Sequence, residues 1–436
     1  MSDLLRRLDL RGRDELSSVL PRPDTVAGRP VEAVQAILDE VRAGGDKAVR
    51  AATLRFDGVD VADPRVPAGE LDSAAEKLDP PLVAALEAAH DAILDFHRSE
   101  APATHTYRRD GIEIESRPQP VDRAGLYVPG GLAAYPSTVL MTALPALAAG
   151  VTDIAMCAPP APDGTLPPAV LAAAHLCGLT EVYRIGGVQA VAAIAHGTET
   201  IRPVDVIAGP GNVYVATAKQ LLAGQVGLAA AFAGPSEIVV VADDSAPPTS
   251  AAVDLVVQAE HGPGGRAWLI TWDETVADRV SQEVAAIVDA SPRRAETMAT
   301  LADGGYLALV DGPAQAAEVA NRIAPEHLQI MTADPDAVLT GVRHAGAVFI
   351  GPWSPASLGD YMAGPSHVLP TAGTARFAGA LTVEDFQKRM HVIRAGRDGF
   401  EALRPHVSTL ARAEGLAAHA DSVDRRAEWA ERGSVR

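Results

Sequence analysis

From about residue 112 onward, short β-forming runs alternate with longer helical ones, and several of the short runs are apolar almost throughout. Segments 124–128, 153–158, 237–242, 267–272 and 347–351 read as strands. Segments 136–150, 167–176, 188–196, 213–222 and 250–261 read as helices. A strand with one wet face alternates polar and apolar residues. A strand that is apolar on both sides must be covered on both, which calls for parallel pairing with helical crossovers. Two such series follow one another, and the Gly-Pro turns at 209–212 and 234–236 punctuate them. The pattern predicts an α/β protein with two Rossmann-like parallel-sheet domains, one inserted in the other. The inserted domain spans 125–235, and the main domain is built from 26–124 and 236–380. Helical N-terminal (1–25) and C-terminal (381–436) segments flank them. Pro30 opens a helix that Gly44-Gly45 interrupts, Asp46 caps the next one through Phe56, and a longer helix runs from Pro80 to His97.

Bulk properties narrow the function. The chain has 436 residues and a formal net charge of −19, so a nucleic-acid partner is disfavoured by repulsion from the phosphate backbone. Two cysteines, Cys157 and Cys177, make neither a disulfide framework nor a zinc knuckle. The first twenty residues lack the apolar core of a signal peptide. The longest apolar run, 139–151, is broken by Pro145 and Gly150 and is too short to span a bilayer. No membrane association and a cytoplasmic location are expected.

Ligands of open α/β sheets sit beyond the carboxyl ends of strands, so chemistry is sought just after them. Gln258 and His261, three residues apart near a helix end, share one face and can both ligate a metal. The ordinary alternative is a histidine meeting the exposed carbonyls of a helix terminus. Glu326-His327 pairs a group able to activate water with one able to shuttle a proton near neutrality, on a turn stiffened by Pro325. Asp360 is either an anionic ligand or a turn aspartate, and Glu414 and His419 read by pattern as a solvated helix face. Three glycine-rich turns, at 125–131, 186–189 and 209–212, suit close approach to a phosphate. None is a full GxGxxG, since Tyr214 stands at the last position after Gly209 and Gly211. Cys157 has no nearby His or Lys in sequence to activate it and reads as a small buried residue.

Taken together, GLYVPGG (125–131), PSTVLM (136–141), GPGN (209–212), AGPSE (233–237), QAEHGP (258–263), APEHLQI (324–330), LGDYMAGPSHVLPTAGTARF (358–377) and EGLAAH (414–419) resemble histidinol dehydrogenases over nearly the whole chain. The resemblance implies a zinc-dependent, NAD-linked oxidation of L-histidinol to L-histidine through bound L-histidinaldehyde. It implies Gln258, His261, Asp360 and His419 as zinc ligands and Glu326 and His327 as the acid–base pair. Ser236, His327 and Glu414, together with the metal ligands, would contact substrate, and Tyr127, Gln189 and Asn212 would contact NAD. It further implies a homodimer in which the tail at 381–436 brings Glu414 and His419 into the partner's site. The sequence departs from the family at Ala229–Phe232, where an Asp is usual, at Ser366 in place of Asn and at Ala356 in place of Glu. A family member acting on another amino alcohol or diol is therefore the alternative reading.

Overall fold

The computed structural model describes residues 4–13, 15–16, 19–21, 30–130, 134–229, 236–260 and 264–431. The chain divides into two compact units, Met1–Ala101 with Val121–Phe386, and Pro102–Pro120 with Gln387–Arg436.

The first unit contains two parallel sheets. The five-stranded sheet runs Glu181–Arg184, Asp153–Ala158, Arg123–Tyr127, Val206–Ala208, Gly227–Leu228. From the central strand Arg123–Tyr127 the chain moves outward twice on one side. It then returns to pair Val206–Ala208 with the other side. The reversal leaves a crevice at the carboxyl ends of those two strands. The six-stranded sheet repeats the scheme, in the order Arg6–Asp9, Gly305–Leu309, Arg266–Thr271, Glu237–Ala242, His327–Met331, Ala347–Ile350. Its central strand Glu237–Ala242 is buried at every position. Ile238 and Val240 pack with Leu255 and Leu269 on one face, and Val239 and Val241 with Trp268 and Ile330 on the other. Burial on both faces, about 1.5–3 kcal/mol for each large apolar side chain, is why these strands carry no polar alternation.

Helix Val31–Asp57 breaks at Gly45 (φ 51°), where the paired glycines place it. The N-terminal segment differs from the helix expected. Arg6–Asp9 is a strand, paired in parallel with Gly305–Leu309, with Leu5 and Leu10 buried beside it. An open sheet edge some 300 residues away along the chain supplies hydrogen bonds that no local pattern announces. Among the described residues, no helix is long and apolar enough to cross a membrane.

The second unit is an antiparallel sheet ordered Gln387–Ala395, Ile112–Pro120, His105–Arg109, with helices Arg397–Ala413 and Ala417–Glu431 packed together. The segment from 381 was expected to be helical. It opens with a single 3-10 turn at Val383–Phe386 and continues as a nine-residue strand, whose partner, Ile112–Pro120, lies far upstream.

Candidate active site

Two polar constellations lie in the first unit. The first is a groove of about 1240 Å³ along the carboxyl edge of the five-stranded sheet, at the strand-order reversal. Tyr127, Gln189 and Asn212, which come from three separate segments, all line it. Tyr127 ends the central strand, and its hydroxyl accepts a hydrogen bond from Gly187 N at 3.1 Å. Burial pushes its phenol up to about 12, so it stays protonated and can also donate. Gln189 lies in the first turn of helix Gly187–His196, which has no side-chain cap. Asn212 caps helix Val213–Leu221 by accepting from Tyr214 N (3.0 Å) and Val215 N (3.1 Å). Gly209 is obligatory at φ 111°, because a Cβ there would strike the Tyr127 carbonyl oxygen. Beneath this loop the buried Lys219 donates to Gly209 O at 2.8 Å, and burial lowers its ammonium to about 8. These turns follow the strands of this sheet, where ligand groups were expected.

The second constellation reverses that expectation. His327 is the first residue of strand His327–Met331, Glu326 immediately precedes it, and Ser236 immediately precedes strand Glu237–Ala242. Glu326 and His327, the expected acid–base pair, thus sit at the amino edge of the six-stranded sheet. The carboxyl edge at the same two strands is closed by the chain itself. Asp243 accepts from Ser245 N and Oγ through Oδ1 (3.0 and 2.5 Å) and from Ala333 N through Oδ2 (2.9 Å), which satisfies the backbone there.

Glu326 is held in a turn that begins at Ala324, a non-glycine residue at φ 52°. Its carboxylate accepts from Glu237 N at 3.0 Å and from the Ser236 side chain, and lies 3.6 Å from His327 Nδ1. Burial raises its pKa, and the adjacent histidine opposes that shift. His327 Nδ1 lies 3.2 Å from Glu237 O. A carbonyl only accepts, so Nδ1 carries the hydrogen and Nε2 is the basic nitrogen of the neutral ring. Nε2 is buried, has no hydrogen-bond partner among the described residues, and lies 3.6 Å from Asp360 Oδ1. Burial would lower the His327 pKa, but Glu326 and then Asp360 outweigh it, and the net shift is upward. The ring packs at 26° to Phe349, 6.0 Å between centroids.

Asp360 belongs to helix Ala356–Tyr361. His367 Nδ1 bonds to its carbonyl at 3.1 Å, and His367 Nε2 lies 3.3 Å from Thr138 Oγ1 on the helix that follows strand Arg123–Tyr127. Ser366, one of the departures, is buried and donates to Met141 O at 2.9 Å. It serves as a tie between the same two segments. Ala356, another departure, is buried in the apolar core.

Gln258 is 1% exposed at the end of helix Pro248–Ala259, and neither its Oε1 nor its Nε2 has a hydrogen-bond partner among the described residues. A buried primary amide with both ends unsatisfied is costly, and a bound ion or water is among the groups that satisfy one. His261 lies outside the described residues. Glu414 caps the first helix of the second unit and His419 lies in the first turn of the next, both exposed. No group of three or more His, Cys, Asp or Glu suited to a metal is assembled among the described residues. Cys157 is buried, and burial pushes its thiol up to about 12, which suits a core residue and not a nucleophile.

Sequence reasoning missed Glu237. It is buried, its backbone grips both Glu326 and His327, and its own carboxyl accepts from Gly373 N at 3.4 Å. Burial first, and then Glu326, raise it to about 7. The signal was present as a charged residue opening an otherwise apolar strand.

A family model for histidinol dehydrogenase matches residues 20–427. The chain belongs to the histidinol dehydrogenase family. Curated histidinol dehydrogenases are 46% identical to it in Parasynechococcus marenigrum (strain WH8102), over 94% of both chains, and 46% in Rhizobium meliloti (strain 1021), over 99% of this chain and 100% of that one. The crystal structure of histidinol dehydrogenase from Elizabethkingia anophelis superposes with a TM-score of 0.94 at 31% identity, covering 99% of this chain and 100% of the other. Family membership makes the protein an oxidoreductase.

Proposed function

We propose that the chain oxidises L-histidinol to L-histidine in two NAD-linked steps through bound L-histidinaldehyde, as a cytoplasmic, zinc-dependent homodimer. The observation that carries this reading is the buried Glu326–His327 pair, in which the backbone of Glu237 fixes one carboxylate oxygen and one ring nitrogen. Gln258 with its unsatisfied amide and Asp360 with its carboxylate are donors that fit zinc. With His261 and His419 of the partner subunit they would complete its ligand set. When bound, zinc supplies a Lewis acid that holds and orients the amino alcohol, and NAD in the groove lined by Tyr127, Gln189 and Asn212 supplies the hydride acceptor.

The chain's own residues move the protons. In its neutral form, His327 takes the hydroxyl proton at Nε2 as hydride leaves the carbinol carbon. Glu326, whose affinity for protons burial raises, takes a proton from the water that adds to the aldehyde. The protonated His327 returns its proton to the former aldehyde oxygen as the water adds, which completes the gem-diol and restores the neutral ring, and His327 then takes a proton from the gem-diol as the second hydride departs. Ser236 holds Glu326 in place and, with Glu414 of the partner subunit, contacts substrate.

The test is stoichiometric: NADH formed per histidinol consumed, with and without a chelator. Two NADH per substrate, abolished by chelation, is expected. One NADH, or indifference to chelation, refutes the scheme. Failure to oxidise histidinol while another amino alcohol or diol turns over refutes the substrate. Glu326→Gln should slow conversion of supplied aldehyde by roughly 10²–10⁴-fold. An unchanged rate would remove the water-activation role.

A further inference from the structure

We infer that Asp57 decides which dinucleotide the groove of the five-stranded sheet accepts: its carboxylate receives an unmodified ribose diol and excludes a ribose bearing a 2′-phosphate. The inference rests on the reading of that groove as the NAD site.

Asp57 is the last residue of helix Val31–Asp57 and lines the groove together with Tyr127 and Gln189, although it is distant from both in sequence. Its Oδ2 accepts from Gln189 Nε2 at 3.1 Å. Its Oδ1 faces the Gly186-Gly187 turn, and a Cβ built on Gly186 would lie 3.4 Å from it. Gly186 is the N-cap of helix Gly187–His196 and offers no side chain to the first turn. Gly187 N, the first N–H of that helix, is taken by the Tyr127 hydroxyl, and a helix start favours a nearby negative charge such as that of Asp57.

The rest of the charged lining leaves Asp57 unopposed. Among the described residues that line the groove, the charged ones are Glu40, Arg55 and Asp57. Arg55 is paired within the lining: its guanidinium is 3.2 Å from Glu40 Oε2 and lies 4.3 Å over the Phe56 ring. One cation against two carboxylates leaves the lining negative. A sugar hydroxyl donates to a carboxylate in a strong charge-assisted bond. A phosphate monoester, carrying about −1.5 to −2 charges at neutral pH, has no donor to offer and meets a like charge. Gln189, held by Asp57, is fixed as part of the same recognition surface.

Calorimetric titration of the purified protein with NAD and with NADP reads binding without turnover. The wild type should prefer NAD by about tenfold or more, and Asp57→Asn should reduce that preference by about tenfold, weakening NAD and strengthening NADP. Asparagine keeps the size and an acceptor for Gln189. Asp57→Ser provides a second variant, and melting curves report folding of both. Tyr127→Ala and Asn212→Ala separate the two levels of the argument. If they weaken NAD while Asp57→Asn and Asp57→Ser leave the NAD:NADP ratio within about twofold of wild type, Asp57 is not the selector and the groove still is the site. If none of the variants alters NAD binding, the groove is not the dinucleotide site and both readings fall. A wild type that binds the two dinucleotides equally also overturns the inference.

Discussion

Replacing Gln258 by leucine tests whether that side chain is present for a ligand or for the fold. The residue is 1% exposed and ends a helix whose other buried positions include Leu255, Val256 and Ala259. A structural amide would be matched by neighbours, and its loss would destabilise the protein. Gln258 instead has two polar atoms without partners among the described residues. Each such atom costs about 1–3 kcal/mol of desolvation, and a leucine of similar volume removes both costs. The Gln258→Leu protein, stripped of metal, should therefore be more stable than the stripped wild type by about 2 kcal/mol, after allowance for shape mismatch. Added zinc should raise the wild-type midpoint through linkage and leave the variant's midpoint unchanged. Urea unfolding of chelator-treated protein, repeated with zinc titrated back, measures both effects. A stripped variant less stable than wild type would mean the amide is a structural member of the core. Equal stabilisation by zinc in both proteins would mean Gln258 is no ligand.

Glu237 gives a prediction with a pH signature. Its carboxyl, raised from 4.5 to about 7, binds a proton more tightly in the folded chain than in the unfolded one, so its contribution is full below pH 4.5 and fades as pH rises through about 7. That gap corresponds to about 3 kcal/mol, so the stability of Glu237→Gln relative to wild type should grow by about that much between roughly pH 4 and roughly pH 8.5. A difference that stays flat with pH, measured by urea unfolding, would contradict a buried, poorly compensated carboxylate. Cys157→Ala should keep the aldehyde step within about twofold of wild type, because a thiol raised to about 12 offers no thiolate. Loss of aldehyde oxidation with the fold intact would point instead to a covalent thiohemiacetal on Cys157. If His419 completes the partner's site, inactive His327→Asn and His419→Ala proteins, unfolded and refolded together, should regain up to about a quarter of wild-type activity through mixed dimers with one intact site. Recovery at background level would place both residues in the same protomer's site.

Part of the site was legible in the sequence because its members are neighbours along the chain. Glu326 and His327 are adjacent, and the Gly-Pro turns announce where the backbone must bend sharply, as Gly209 does against Tyr127. Other features were not legible, because they depend on which distant segment happens to be within reach. Periodicity could not tell that Asp57 meets Gln189 or that Glu237 reaches Gly373. The sequence placed Glu326 and His327 just ahead of a short strand, but it could not show that this strand lies inside the second sheet, because the rule that ligands follow strands assumes the carboxyl edge is open. Here Asp243 closes it.

The sequence by itself determined the parallel α/β class and the approximate limits of most strands and helices. Hydrophobic period is a local property, and a strand apolar on both faces permits few architectures. Tertiary structure decided that Arg6–Asp9 completes a sheet and that Gln387–Ala395 pairs with Ile112–Pro120. It also decided which buried polar groups are satisfied and which are left open. Those outcomes turn on hydrogen-bonding partners and burial contributed by residues hundreds of positions away, which no window of sequence contains.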